Sequence, residues 1–442
     1  MNIQLSDHFD YRRLLRFTFP SIVMMLFTSV YGVVDGVFVS NFVGKTPFAA
    51  LNLIMPFIMI FGAVGFMIGM GGSALVSMTL GEGNRERANR LFSMLIYVTM
   101  GFGIVMTVIG IAFMRPVAVL LGADEGMVDY CVVYGRILML SLTPFMLQNT
   151  FQSFLITAEK PQLGLYVTVA AGVTNIVLDA LFIAVFQWGL AGAAAATAIS
   201  QAVGGAVPLI YFLRPNDSLL KLTKARLDGQ ALLRTCTNGS SEFMTNISIS
   251  LVSMMYNFQL MRFAGENGVA AYGVIMYVNF IFIAIYVGYS IGTAPVIGYH
   301  FGAQNHGELH SLLEKSLKLL GAAGVILIVL GVALARPLAS IFVGYDEELL
   351  EMTVRAFAIY SLSFLVMGVN IFGSSFFTAL NNGLVSALIS FLRTLLFQMA
   401  AVLILPELIG LDGIWLAVVA AEVLALSVTI AFFVKMRARY KY

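Results

Sequence analysis

The chain has little charge and almost no cysteine. Charged residues make up 11% of its 442 positions and hydrophobic residues 60%, whereas an ordinary soluble domain is about 25% charged. So few charges cannot cover a surface that faces water, which excludes an ordinary soluble protein. The two cysteines, Cys131 and Cys236, argue against a disulfide framework. The net charge of +2 gives no reason to expect a nucleic-acid partner.

Long apolar runs take the place of the missing charge. A helix of roughly 20 apolar residues is long enough to cross a hydrocarbon core of about 30 Å, and the runs do not alternate as the strands of a barrel do. We predict an all-α polytopic membrane protein with twelve transmembrane helices. The predicted spans are 14–40, 48–79, 91–114, 129–157, 163–186, 190–213, 236–263, 269–301, 311–335, 350–379, 384–405 and 413–434.

Lysine and arginine are unevenly distributed between the polar breaks. Eighteen of the 25 lie in the breaks, or in the adjoining ends of the spans, on the side of the membrane that holds the N-terminus. Cytoplasmic segments of membrane proteins are enriched in these residues. We therefore expect a multi-pass protein of the cytoplasmic (inner) membrane with both termini in the cytoplasm.

The two halves of the chain are related by a constant offset of 221 residues. The shift superimposes Gly71 on Gly292, Gly81 on Gly302, Asn84 on Asn305, Arg115 on Arg336 and Asn149 on Asn370. Each half holds six spans, an even number, so the two lobes are expected to be related by an axis along the membrane normal, with a cavity between them. We predict an N-lobe over 1–213, a cytoplasmic linker over 214–235 and a C-lobe over 236–442. This architecture favours alternating access over a channel.

Four segments in a fixed order carry a specific pattern. They are Pro20 with YGVVDGVFV at 31–39, GEGN at 81–84, NIVLD at 175–179 and GLAGAAAAT at 189–197. Together they resemble the multidrug and toxic compound extrusion (MATE) family of transporters, and the resemblance covers nearly the whole chain. It implies multidrug efflux: export of organic compounds by antiport with sodium ions or protons, without enzyme activity or a further cofactor.

Four acidic residues lie well inside predicted spans, away from the span starts: Asp35, Asp179, Glu242 and Glu422. A charge at bilayer depth costs about 2.5 to 3.5 kcal/mol, so each acid needs a partner, a bound ion or a proton. The resemblance places Asp35 against Asp179 in the N-lobe, with Asn175 and Thr197 nearby. Their oxygens would suit a sodium ion, and the two carboxylates would equally share a proton. We expect the coupling site here and no other metal; structural acids that never titrate are the alternative.

Pro20 lies within the first predicted span. Proline removes a backbone hydrogen-bond donor and kinks a helix. We therefore expect a kink in helix one at Pro20, and the family resemblance favours a helix that moves there over one that is permanently bent.

The second half holds a different set of buried charges. The 221-residue shift carries Asp35 to Tyr256, so the first-half ion site is not duplicated. We expect Arg393 to form a salt bridge with Glu242 or Glu422, since a lone guanidinium at this depth is costly. The alternative is that Glu242 faces the central cavity and attracts a cationic substrate.

These observations predict a monomer in the lipid bilayer that takes small organic substrates, cationic or amphipathic. Two other readings remain open. Another transporter with six helices in each half is one: a major facilitator would carry an acidic-basic signature where 81–90 fits poorly, and a lipid-linked sugar flippase needs a more basic cavity than Arg393 alone supplies. The other is a membrane-embedded enzyme, which would need paired catalytic groups at membrane depth, whereas the histidines lie at breaks or a helix end.

Overall fold

The computed structural model describes residues 3–43 and 45–442, without the side chains of 36–38, 40, 41, 45 and 48. Part of the run 31–39 thus lies outside the described side chains. Every regular element in the described ranges is helical, which confirms the predicted all-α fold. The α-helices are α1 (Tyr11–Phe42), α2 (Lys45–Gly81), α3 (Arg85–Leu120), α4 (Glu125–Leu140), α5 (Leu142–Thr157), α6 (Pro161–Asp179), α7 (Gly189–Leu213), α8 (Gly229–Gly302), α9 (His306–Val343), α10 (Glu347–Ser361), α11 (Phe364–Ala379), α12 (Gly383–Phe391), α13 (Phe397–Ile409) and α14 (Leu411–Tyr440).

The helices divide into twelve spans. Nine continuous helical stretches of the described ranges are long and apolar enough to cross a membrane by themselves, one of them being Gly383–Ile409, which includes α12 and α13. The pairs α4 with α5 and α10 with α11 are long enough together, and they bend by 54° and 50° where they join. The 74-residue α8 leaves helical geometry at Gly265, with φ 62° and ψ −151°, a conformation that glycine adopts readily. Because α8 is two spans joined at this residue, the total matches the predicted twelve.

The segment between the two halves is partly helical. Residues 214–228 contain no helix, but α8 begins at Gly229, inside the predicted linker 214–235. The Asp228 side chain accepts hydrogen bonds from the backbone N–H groups of Gln230 and Ala231, which caps the helix start. Hydropathy alone misses this boundary, because the first turns of α8 extend beyond its apolar run.

The starts of α3 and α9 have equivalent caps. Asn84 accepts a hydrogen bond from the backbone N–H of Arg87, and Asn305 accepts one from the N–H of Glu308. Each cap satisfies one of the N–H donors that a helix start leaves without an intrahelical partner. The 221-residue offset relates Asn84 to Asn305, so the repeat seen in the sequence extends to the helix caps.

A pair of glycine contacts joins the two halves. A side chain at Gly81 would overlap the carbonyl oxygen of Tyr299, and one at Gly302 would overlap the carbonyl oxygen of Met78. The same offset relates Gly81 to Gly302 and Met78 to Tyr299, so each contact is the pseudo-symmetric copy of the other. A self-complementary contact of this kind lies on a two-fold axis. This geometry supports two lobes related by such an axis, with α2 crossing the end of α8 beside it.

The N-terminal segment, residues 3–10, bridges the two halves. Its Leu5 and Phe9 side chains are fully buried. The backbone N–H of Leu5 donates to Glu159, between α5 and α6, at 2.7 Å. The N–H of Phe9 donates to Glu308, at the start of α9, at 2.8 Å. One short segment therefore fastens a loop of the first half to a helix of the second.

Candidate functional site

Asp35 and Asp179 meet where α1 lies along α6. The two helices approach closely at Gly172, where any side chain would collide with the rings of Phe27 and Tyr31. The two carboxyl groups are close enough to interact electrostatically with each other. The structure thus brings together the two acids that the sequence separates by more than a hundred residues.

The helix geometry changes at Asp179. This residue ends α6, and a π-helical segment, Ala180–Val185, follows it directly. Single π-helical turns interrupt the regular hydrogen-bond ladder and frequently occur at functional sites. The side chain of Asp179 is 0% exposed, so its carboxyl is held away from bulk water at a point where the backbone is irregular.

The carboxyl pair lacks hydrogen-bond donors. Within the described ranges, Oδ1 of Asp35 and both oxygens of Asp179 are buried and accept no hydrogen bond. Most buried polar atoms in proteins have a partner, and a buried charge without one is expensive. A proton on one carboxyl or a cation between the two would satisfy these oxygens.

Asn175 and Thr197 lie on the helices that surround this pair. Asn175 is buried and lies four residues before Asp179 on α6, which puts the two on one helix face. Thr197 is half-buried on α7, which lies along α6. No hydrogen bond between described residues joins Thr197 to either carboxyl, so the structure puts it on the neighbouring helix without a hydrogen bond to the pair.

Two tyrosines near the pair were not predicted. Tyr134 on α4 is buried, and both aspartates act on it electrostatically. Tyr31 lies beside Asp35 and interacts with Gln148 on α5. A phenol at membrane depth needs a polar partner, so these residues carried a weak signal in the sequence, but a partner on another helix cannot be identified from spacing.

The set of possible metal ligands at this site is small. In the part of the chain that the structure describes, no three His, Cys, Asp or Glu side chains come together as ligands. A cation at Asp35 and Asp179 would have two carboxylates, with the Asn175 amide one turn away. Hard oxygen ligands of this kind suit sodium, and the same pair suits one shared proton.

The second half holds a complete ion pair. Nε of Arg393 lies 2.8 Å and 3.1 Å from the two carboxylate oxygens of Glu422, which confirms the predicted salt bridge. The amide of Asn370 donates to Oε2 of Glu422 at 2.8 Å, and the hydroxyl of Thr429 donates to Asn370 at 3.1 Å. Glu422 is 0% exposed and Arg393 9% exposed, so this network neutralises its own buried charges.

Glu242 forms no such pair. No basic group of the described residues lies within 4.0 Å of its carboxyl, although the charge of Arg393 acts on it from farther away. Glu242, Arg393 and Glu422 all line one cavity of about 420 Å³. Of the two acids and one base, the carboxyl of Glu242 is the group that has no direct ion-pair partner among the described residues.

This cavity lies mainly in the second half and has a largely apolar wall. Its size falls within the range of small-molecule sites, about 300 to 1,000 Å³, which are typically apolar with a few polar groups. Tyr256 and Tyr272 stack in its wall with ring centroids 5.1 Å apart. The first half contributes Met25, Ser29, Phe66 and Met70 to the lining.

Pro20 lies within α1, which continues through it from Tyr11 to Phe42. The helix is therefore continuous at Pro20, and a kink there stays a prediction. Pro20 also lines a second cavity beside Arg16 and Lys160, at the end of α1 that carries the N-terminus.

Known proteins resemble this chain along almost its full length. The model of the MatE family matches residues 20–181 and 243–403, two segments that contain the carboxyl pair and Arg393; Glu242 directly precedes the second segment. The multidrug export protein MepA of Staphylococcus aureus (strain MSSA476) is 22% identical over 419 residues, which cover 94% of this chain and 92% of MepA. MepA of Staphylococcus saprophyticus is similar to the same extent, with 22% identity over 419 residues.

A solved structure shares the fold. It is described as the outward-facing conformation of a multidrug resistance MATE family transporter of the MOP superfamily. It superimposes on this chain with a TM-score of 0.92 at 21% sequence identity, and the alignment covers 100% of this chain and 98% of that one.

Proposed function

Because the chain belongs to the MatE family, we propose that it is a secondary-active exporter of organic compounds that exchanges its substrate for protons or sodium ions. The carboxyl pair of Asp35 and Asp179 carries this proposal. Its buried oxygens have no partner in the described chain, so a proton or a cation must satisfy them. A site that must hold an ion in one state and release it in another is what antiport requires.

The cavity of about 420 Å³ is the proposed substrate site. Its methionine, phenylalanine and tyrosine side chains offer apolar surface that adapts to different shapes. The unpaired carboxyl of Glu242 favours substrates with one positive charge, since Glu422 already neutralises Arg393. We therefore propose organic cations or cationic amphipaths as substrates, bound by a monomer in the inner membrane.

The transport step is proposed to be alternating access. The two halves touch at the glycine crossing of Gly81 and Gly302, a contact that must separate for the cavity to open on that side. A relative of the same fold is described in an outward-facing conformation, and the MepA relatives are described as multidrug export proteins. Both support a two-state exporter.

The lipid-linked sugar flippase receives no support from the cavity charge. A polyanionic lipid needs excess basic groups, whereas the lining holds Arg393 with two acids. An enzyme is not favoured either, because the described cavity lining contains no histidine or cysteine.

Transport in sealed vesicles tests the proposal. Purified protein is reconstituted, and accumulation of ethidium, an organic cation, is measured with a proton gradient or a sodium gradient imposed separately. We expect one of the two gradients to drive ethidium above its equilibrium distribution, and the matching ionophore to abolish this accumulation. If neither gradient drives accumulation in protein that binds ethidium, antiport is refuted.

The proposed orientation places both termini and residues 214–228 in the cytoplasm. The strong excess of lysine and arginine on that side supports it. Protease-accessible tags at the N-terminus and within 214–228, tested in sealed right-side-out and inverted vesicles, should be cleaved in inverted vesicles alone. Cleavage in right-side-out vesicles would reverse the orientation.

A further inference from the structure

A second cavity of about 440 Å³ lies outside the proposed substrate site and shares no lining residue with it. It is formed by the start of α1, the α5–α6 loop with the start of α6, and the end of α7. Its lining is Ile3, Arg16, Phe17, Pro20, Glu159, Lys160, Pro161, Gln162, Leu163, Tyr166, Tyr211 and Asp217. Nothing in the transport cycle proposed above uses it.

Two bases in this cavity lack a direct ion-pair partner. Neither Arg16 nor Lys160 forms an ion pair within 4.0 Å with any residue that the structure describes. Glu159 also lines the cavity; its Oε1 accepts the backbone N–H of Leu5 at 2.7 Å, and its charge interacts with that of Lys160 from beyond ion-pair distance. The cavity therefore offers a ligand two bases that no described carboxylate contacts directly.

One acid in the cavity is also free. Asp217 follows the end of α7 and is exposed, and it forms no ion pair or side-chain hydrogen bond within the described ranges. A ligand that satisfies all three groups carries an anionic part for Arg16 and Lys160 and a cationic, hydrogen-bonding part for Asp217. This is the chemistry of a zwitterion rather than of a simple anion.

The cavity opens beside an apolar outer surface. Phe19 on α1 is 62% exposed and Tyr166 at the cavity wall is 66% exposed. On α6, Val173 and Val177 are exposed at seven and eleven residues beyond Tyr166, which extends the same helix face toward the membrane centre. Aromatic residues at the membrane interface and basic pockets between helices on the cytoplasmic side are known features of lipid sites.

We propose that this cavity binds the headgroup of one phosphatidylethanolamine molecule from the cytoplasmic leaflet. Its phosphate lies with Arg16 and Lys160, its ammonium group lies with Asp217, and an acyl chain follows Tyr166, Val173 and Val177. The inference rests on the orientation given under the proposed function. It does not require transport, so its failure and that of the export proposal are distinguishable.

Native mass spectrometry of the full-length protein in detergent tests this site. The protein is titrated with phosphatidylethanolamine, phosphatidylglycerol and phosphatidylcholine that have identical acyl chains. We expect one retained phosphatidylethanolamine, bound more tightly than phosphatidylglycerol and at least about tenfold more tightly than phosphatidylcholine, whose methylated ammonium cannot donate hydrogen bonds. Equal retention of phosphatidylcholine would overturn the proposal, and so would competition by millimolar inorganic phosphate.

Two variants separate the headgroup contacts. Replacing both bases, Arg16→Gln with Lys160→Gln, should weaken phosphatidylethanolamine binding by tenfold or more. Each base near the lipid headgroups contributes a factor of about ten or slightly less to the affinity. The matched control, Lys435→Gln with Arg437→Gln, removes two exposed bases on the same side, at the end of α14, and should leave binding unchanged. Wild-type affinity in the first variant would refute the site.

The Asp217→Asn variant tests the zwitterion directly. Asp217 is exposed, so this change keeps the test available if the double variant is poorly folded. We expect the preference for phosphatidylethanolamine over phosphatidylglycerol to disappear, while phosphatidylglycerol binding persists or rises. An unchanged preference would contradict the assignment of the ammonium group to Asp217.

Discussion

The two halves of this chain share one fold, but their buried charged side chains differ in whether they have partners. In the first half, Asp35 and Asp179 face each other with oxygens that no described residue satisfies. In the second, Arg393 and Glu422 neutralise each other, and Asn370 and Thr429 complete the hydrogen bonds. A satisfied network is suited to hold its charge constant, whereas an unsatisfied one is suited to gain and lose an ion. We therefore propose that coupling belongs to the first half, and that the second half contributes a neutralised ion pair and the substrate cavity.

The largest effect is expected from removing the carboxyl pair. The double change Asp35→Asn with Asp179→Asn keeps size and hydrogen-bonding atoms but removes the titratable charge. Gradient-driven ethidium accumulation in vesicles should fall to that of protein-free vesicles, while the protein stays folded and inserted.

The control for this pair is Asp129→Asn on α4. Asp129 pairs with Arg115 at 3.0 Å on an exposed surface, so its loss should leave transport within about twofold of wild type, as for most exposed ion pairs. If the double variant at Asp35 and Asp179 still accumulates ethidium normally, coupling lies elsewhere.

Breaking the second-half ion pair should damage stability. Arg393→Met leaves the carboxyl of Glu422 buried without its partner, which costs about 3 to 5 kcal/mol for pairs of this kind. The thermal midpoint of the detergent-solubilised protein, followed by fluorescence, should fall clearly.

A compensating change distinguishes structure from function in that network. Adding Glu422→Gln to Arg393→Met removes both charges but keeps an acceptor for Asn370, so most of the lost stability should return. Ethidium accumulation by the rescued double variant should approach that of the wild type. A stable double variant that cannot transport would show that this pair takes part in the transport cycle.

Substitutions at Gly81 and Gly302 test whether the two halves contribute equally to stability at the glycine crossing. Gly81→Ala and Gly302→Ala each place a methyl group against a backbone carbonyl oxygen, which cannot move aside as a flexible side chain can. Each change should destabilise the protein by about 1 to 3 kcal/mol, and the two effects should agree within about 1 kcal/mol because the contacts are pseudo-symmetric copies. Thermal melts of the two variants under identical conditions measure this, and a large effect in one alone would disprove the symmetric crossing.

A smaller and more selective effect is expected at Glu242. Glu242→Gln removes the one cavity acid that lacks an ion pair within 4.0 Å among the described residues. Ethidium affinity should weaken by roughly tenfold, which corresponds to about 1.4 kcal/mol, whereas the affinity for a neutral substrate of similar size should hold. Fluorescence titrations of both ligands provide the measurement. Equal weakening of both would mean that Glu242 shapes the cavity without contributing charge.

The sequence predicted the fold well because the fold depends on local quantities. Hydropathy and helix length identify the spans, and the repeat of Gly81 at Gly302 indicates two similar halves. Acids at membrane depth stand out because each is costly there, which singled out Asp35 and Asp179 without any knowledge of packing.

Contacts between distant helices were beyond prediction from the sequence. Both Glu242 and Glu422 were candidates for Arg393, and the choice of Glu422 depends on how α14 is rotated against the π-helical segment Leu392–Leu396. The nearness of Tyr134 to the carboxyl pair depends in the same way on the packing of α4. The break between α4 and α5, at Ser141, lies inside an apolar run that hydropathy reads as one straight span.

Ion exchange by the purified protein tests the central claim most directly. Saturating ethidium is added to detergent-solubilised protein, and released protons are followed with an indicator dye in weak buffer while displaced radioactive sodium is counted in parallel. We predict that the wild type and the Arg393→Met, Glu422→Gln variant release the coupling ion in the same amount, and that the Asp35→Asn, Asp179→Asn variant binds ethidium and releases none. Release of the same amount from the aspartate variant would contradict the assignment of coupling to the first half.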